Sequence, residues 1–111
     1  MDLVSPPRRF DVVLVDLDPT IGSEIRKRRP CVVVSPDDLN QALRTVIIAP
    51  MTSTRWSAPF RVPVRFQDRD GSVTLDQIRT VDRSRLVRRL GALDRGTAVT
   101  VTERLVTMFT L

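Results

Sequence analysis

A chain of 111 residues with 41% apolar content can close one compact core and leaves no length for a second. Its formal charge of +5 comes from 18 basic residues of which only Lys27 is a lysine, so guanidinium groups supply the positive field; they donate paired hydrogen bonds to phosphate and stay charged at any working pH. Histidine and tyrosine are absent, which excludes Ser-His triads, Cys-His pairs, histidine zinc sites and histidine acid-base pairs and leaves any catalysis to carboxylates, hydroxyls, amides and arginine.

A single soluble domain over residues 1–111 is expected. The longest apolar runs, VVLV (Val12 to Val15) and VIIA (Val46 to Ala49), fall far short of the roughly 18 residues a membrane span needs. The first residues, MDLVSPPRRF, hold no signal-peptide core, so a cytoplasmic location is expected. One cysteine, Cys31, set in PCVVV, permits neither an internal disulfide nor a zinc cluster. Asp11, Asp16 and Asp18 lie on or beside one predicted strand, where a metal-bound carboxylate cluster and plain surface or turn residues are both open readings; the second is preferred, and no metal or cofactor is expected.

In chain order, Phe10 to Asp16 is a β-branched apolar run that reads as a strand buried on both faces. DPTIGSEIRKRRP (Asp18 to Pro30) then gathers four consecutive cations, Arg26, Lys27, Arg28 and Arg29, onto one loop that holds, after Asp18, a single carboxylate, Glu24. Adjacent cations repel, and a fold tolerates them most readily where a polyanion relieves the repulsion. Pro30 to Ser35 reads as a second strand, DDLNQA, with Asp38 in it, as a short helical connection, and Thr45 to Thr52 as a third strand. On the STRWSAP loop, Trp56 could stack a base or cover the core.

FRVPVRF alternates: Phe60, Val62, Val64 and Phe66 point one way, Arg61, Pro63 and Arg65 the other, and Pro63 marks an edge strand. A turn, QDRDG, ending at Gly71 leads into SVTLDQIRTVD, which makes Phe60 to Asp82 a hairpin. Val73 and Leu75 share a face that Ile78 leaves, which predicts a bulge near Asp76 and Gln77. After a short strand at Leu86 to Leu90, Ala98, Val101, Leu105 and Met108 or Phe109 recur at helical spacing among threonines and valines that favour a strand; the period decides for a helix. The fold class is mainly β with short helices, a small, strongly curved antiparallel sheet closed by a C-terminal helix.

The residues resemble the MazF/PemK toxins of bacterial toxin-antitoxin systems through five blocks in order: DVVLVDLDPTIGSE (Asp11 to Glu24), RPCVVVSP (Arg29 to Pro36), PMTS (Pro50 to Ser53), APFRVPV (Ala58 to Val64) and LDQIRTVD (Leu75 to Asp82). The resemblance implies an SH3-like antiparallel barrel of the kind MazF, PemK and CcdB share. It also implies a homodimer and metal-independent cleavage of single-stranded RNA. The family's catalytic arginine and threonine fall on Arg29 and Thr52, its Gly-Ser-Glu element on Ser23 and Glu24, and its substrate-approaching Asp-Gln pair on Asp76 and Gln77. Where many members carry a small, flexible stretch after the glutamate, this chain carries Ile25 and the basic run.

On that reading the ribose 2′-OH attacks the adjacent phosphate, Arg29 stabilises the charge that builds on the phosphoryl oxygens, and Thr52 holds one of them. Glu24 or Asp76 accepts the 2′-OH proton or holds Arg29. Arg26, Lys27 and Arg28 hold the RNA backbone, with Ser23, Ser53, Trp56 and Gln77 as further RNA contacts. The expected protein partner is an antitoxin whose acidic, partly disordered segment competes for the same arginines. Two rival functions stay open: a gyrase-poisoning toxin of the same fold, which ends in a Trp-Gly-Ile tail where this chain ends MFTL, and a non-catalytic RNA-binding barrel.

Overall fold

The computed structural model describes residues 5–53 and 58–111, and Trp56 lies outside them. Seven antiparallel strands, β1 (Asp11–Asp16), β2 (Arg28–Val33), β3 (Thr45–Thr52), β4 (Arg61–Phe66), β5 (Arg69–Thr74), β6 (Arg79–Asp82) and β7 (Leu86–Ala92), form one curved half-barrel in the order β4-β5-β3-β2-β1-β7, with β6 also on β3. Two α-helices, α1 (Asp37–Ala42) and α2 (Arg95–Met108), and two single 3-10 turns complete the described chain.

The middle stretches of the central strands are apolar because both of their faces are buried. Val12, Val32, Ala49 and Met51 face α2, whereas Val13, Val15, Cys31, Val33, Val46 and Ile48 face a second cluster with Val81 and Leu86. Burial pushes the Cys31 thiol up to about 12, so the lone cysteine is a protonated core residue. At the sheet's end, β4 alternates as predicted, with Val62 and Val64 buried and Pro63 exposed on an edge strand that asks no N–H of it.

One edge of β3 is shared. Thr45 to Ile48 pair with β6, and Met51 and Thr52 pair with β5. Between the two ladders stands Pro50, which has no N–H to give, and the fully buried Thr74 hydroxyl donates to its carbonyl at 2.7 Å. The chain crosses from one ladder to the other through a 3-10 turn, Leu75–Gln77. That turn corrects the predicted bulge: the change of face between Leu75 and Ile78 comes from passing between two separate strands, where three tightly wound residues reset the side-chain direction.

The hairpin turn is also tighter than QDRDG suggested. Only Gln67 and Asp68 lie between β4 and β5, both at positive φ (50° and 62°), as a two-residue hairpin loop requires. Gly71 therefore lies within β5, paired with Val64, and it is glycine for another reason: a Cβ there would stand 2.2 Å from the Thr52 carbonyl oxygen. Likewise β2 starts at Arg28, so Arg28 and Arg29 are strand residues and only Arg26 and Lys27 of the basic run precede it.

Helix α2 resolves the contest between period and propensity. The Asp94 carboxylate accepts from Thr97 N–H (3.1 Å) and from its hydroxyl (2.6 Å), which caps the first turn and lowers the Asp94 pKa. Thr100, Thr102 and Thr107 turn their hydroxyls back onto the carbonyls four residues earlier, which removes their competition with the helix. Ala98 and Val101 are buried, with Leu105 and Met108 packed beside them; Phe109 is 72% exposed, so Met108 completes the stripe.

Gly71→Ala forces β5 away from the end of β3. Urea unfolding is expected to show a loss of roughly 1–3 kcal/mol, the usual range for overpacking against backbone, and unchanged stability would contradict the close approach.

Candidate active site

Arg29 and Thr52 come from neighbouring strands. The ladder that sets Cys31 opposite Pro50 brings the start of β2 beside the end of β3, and both residues line two adjoining cavities. The first, about 560 Å³, has an apolar floor of Pro30, Met51, Val64 and Phe66 with Arg69 and Asp70 at its rim. The second, about 380 Å³, is polar and gathers Ser23, Glu24, Arg26, Ser53, Gln77 and Arg61 around the same pair. A third, about 410 Å³, continues past Ser23, Glu24 and Gln77 to Asp76 and Arg79. Together they make a groove with Arg29 and Thr52 near its middle.

The charge on Arg29 is uncompensated: its Nε donates to the Arg26 carbonyl (3.2 Å), and it makes no ion pair with any described residue. Asp16 stands across the ladder from Arg28 at the strand end, with Asp18 just beyond it, and both carboxylates are engaged elsewhere. Asp16 accepts from Asp18 N–H (3.3 Å), and Asp18 accepts from Lys27 N–H (3.2 Å) and the Thr20 hydroxyl (3.4 Å). Asp11, 8% exposed at the far end of β1, takes the Arg8 N–H and pairs with Arg89 at 2.9 Å. Among the described residues no three Asp, Glu or Cys side chains converge.

The loop between β1 and β2 is held at fixed points. Leu17 N–H donates to the Lys27 carbonyl (3.0 Å) and closes the base. Below it, Arg79 donates to the Leu17 carbonyl (3.1 Å), and Arg85 donates to the Asp16 (3.1 Å) and Asp18 (2.6 Å) carbonyls. At the groove, the Gln77 side-chain oxygen accepts from Ile25 N–H (2.8 Å), and Glu24 folds back on its own turn by accepting from Ile21 N–H. Ser23, Glu24, Arg26, Arg29, Thr52, Ser53 and Gln77 are thus brought together, with Asp76 next to them. Lys27 and Arg28 are exposed and line none of the three cavities; Lys27 takes a left-handed φ of 71°.

Sequence reasoning missed three arginines. Arg79 and Arg85 are struts for the loop, and Arg61, read only as an outward residue of an alternating strand, enters the groove. Its Nε and Nη2 grip both oxygens of Asp76, at 3.1 and 2.9 Å. That bidentate hydrogen bond raises the Arg61 pKa further and occupies the carboxylate. The outward position of Arg61 in FRVPVRF was the only available signal, and it says nothing about a partner on the turn that follows β5.

Residues 8–109 match the family model of the PemK-like, MazF-like toxins of type II toxin-antitoxin systems. The chain belongs to that family. It is 36% identical over 91 residues to the endoribonuclease toxin MazF of Escherichia coli K12, covering 82% of this chain and 78% of that one. With the endoribonuclease MazF of Staphylococcus epidermidis it shares 36% over 100 residues, 85% and 83% of the two chains. Among solved structures, MazF of Deinococcus radiodurans superposes with a TM-score of 0.83 at 27% identity over 96% of this chain and 98% of that one. A mycobacterial endoribonuclease in complex with its cognate antitoxin gives 0.77 at 26%, covering 91% and 92%.

Gln77 fastens the groove side of the toxin's loop, at Ile25. Gln77→Ala removes one hydrogen bond worth about 1 kcal/mol, so amide exchange at Ile25 should quicken roughly fivefold while α2 amides are unchanged; an unaltered Ile25 would show that the loop is held elsewhere.

Proposed function

We propose that this chain, acting over residues 1–111 as one toxin domain in the cytoplasm, is an endoribonuclease that cleaves single-stranded RNA without a metal or other cofactor. Family membership and the named activity of the relatives support the reaction class. The single observation that carries the site is a guanidinium, Arg29, that makes no ion pair among the described residues and lines an open groove with Thr52.

The 2′-oxygen of the ribose attacks the neighbouring phosphorus, the bond from phosphorus to the 5′-oxygen breaks, and the products are a 2′,3′-cyclic phosphate, or the 3′-phosphate from its hydrolysis, and a 5′-OH. Holding both groups within one nucleotide makes the attack intramolecular. Arg29 stabilises the charge developing on the phosphoryl oxygens, which its Nη groups, in no ion pair with a described residue, can meet directly, and Thr52 donates to one of those oxygens. Glu24 receives the 2′-OH proton, since it lines the same cavity as Arg29 and Thr52 while both oxygens of Asp76 are held by Arg61. The proton needed by the departing 5′-oxygen comes from solvent.

Arg26, with Lys27 and Arg28 on the approach, draws in the phosphate backbone, and Ser23, Ser53 and Gln77 contact the bound strand. Trp56 offers a stacking face. Two copies of the chain form the working homodimer, and an antitoxin with an acidic, partly disordered segment occupies the same basic path; the mycobacterial endoribonuclease solved with its cognate antitoxin supports such a partner.

Cleavage should survive EDTA. Arg29→Ala should lower the rate by roughly 10²-fold or more with a far smaller fall in RNA affinity, the pattern of a lost preorganised charge stabiliser, and Thr52→Ala should act in the same direction. An oligonucleotide with deoxyribose 5′ of the scissile phosphate keeps every phosphate but lacks the nucleophile, so it should bind and stay whole. Normal cutting of that oligonucleotide, or magnesium-restored activity after EDTA, would overturn the mechanism.

A further inference from the structure

The Arg61–Asp76 pair is an unexplained polar element in the groove. Asp76 takes the side-on edge of the guanidinium, Nε and Nη2, which leaves the parallel N–H donors of the end-on edge, on Nη1 and Nη2, with no partner among the described residues. The Arg61 side chain is only 21% exposed, it lines the cavity that holds Arg29 and Thr52, and its carboxylate partner stands on the rigid 3-10 turn beside Gln77. A guanidinium fixed along one edge and open along the other is an oriented pair of donors.

Charge decides what such a pair can take. A phosphate about 4 Å from the guanidinium would lie within about 7 Å of the Asp76 carboxylate, and at distances in that ratio the repulsion cancels more than half of the attraction. A neutral group pays no such penalty and still satisfies both donors. Among the nucleobases, guanine presents two adjacent acceptors as O6 and N7, and cytosine as N3 and O2. Adenine and uracil alternate donor with acceptor along every edge that could meet the pair.

We infer that Arg61, held by Asp76, reads a nucleobase next to the scissile phosphate and selects guanine or cytosine there over adenine and uracil. Arg61 is the specificity-determining residue, and Asp76 is a positioning residue that fixes its plane. This deepens the reading of the groove as an RNA-cleaving site and rests on it.

The test maps cut sites in a randomised single-stranded RNA library. The unaltered chain should favour guanine or cytosine by roughly tenfold or more at one position flanking the cut, the discrimination expected of a bidentate contact. Arg61→Ala and Arg61→Lys should flatten that position and leave the others, because a lysine cannot supply two parallel donors. Asp76→Asn, which frees the guanidinium without emptying its place, should flatten it in part. Unchanged selection in Arg61→Ala would overturn the inference, as would an equal loss on all sequences, the mark of a phosphate contact. A 2′-fluoro library, which has no nucleophile, reads the same preference from binding alone. A protein that selected bound sequences there but cut no RNA would sink the cleavage reading and leave this one standing.

Discussion

The molecule is organised around the division of one edge of β3 between two partners. Because β6 takes Thr45 to Ile48 and β5 takes Met51 and Thr52, the chain must change ladders at Pro50, and it does so through the turn that carries Asp76 and Gln77. The Thr74 hydroxyl satisfies the carbonyl that the break would otherwise strand in the core, where an unmet acceptor costs about 1–3 kcal/mol. Everything at the groove follows from this arrangement. It ends β3 at Thr52, it requires glycine where β5 crosses that end, and it sets the turn's two polar side chains against the β1–β2 loop and against Arg61.

Arginine is used here in three physically different ways. Arg79 and Arg85 spend their donors on backbone carbonyls at the base of the loop, where a planar, always charged group can hold oxygens that no N–H reaches. Arg61 is neutralised by a carboxylate and so becomes a directional donor with little net field. Among the described residues Arg29 has a carbonyl contact at Nε and no ion pair. An overall charge of +5 would not distinguish these, since a strut, a neutralised pair and a bare charge each count the same in a composition. What separates them is whether a carbonyl or carboxylate lies within hydrogen-bond reach, and for Arg79, Arg85 and Arg61 the partner comes from a segment distant in sequence.

The MazF structure of Deinococcus radiodurans shares the fold with this chain across nearly its whole length. The first long loop carries Ile25, Arg26 and Lys27, and it is fastened through backbone groups: the Ile25 N–H, the Lys27 N–H and the Lys27 carbonyl. Backbone fastening is indifferent to side-chain identity, which explains how a strongly basic sequence fits a common frame and leaves its side chains free to face the groove or the solvent.

The strands and the terminal helix were legible in the sequence, because strand alternation and helical period are local properties fixed by backbone geometry. Arg29 and Thr52 were singled out by short motifs whose order survives in one dimension, and they line the same cavities. The β4–β5 turn, the place of Gly71 and the change of face at Leu75 to Ile78 were misread, because each depends on what lies across a ladder rather than along the chain. Only the tertiary structure decided that Asp76 belongs to Arg61, that Gln77 belongs to Ile25 and that Glu24 shares a cavity with Arg29. Hydrogen bonds and ion pairs act over a few ångströms, and partners as far apart in the chain as Ile25 and Gln77 are brought within that range by strand pairing alone.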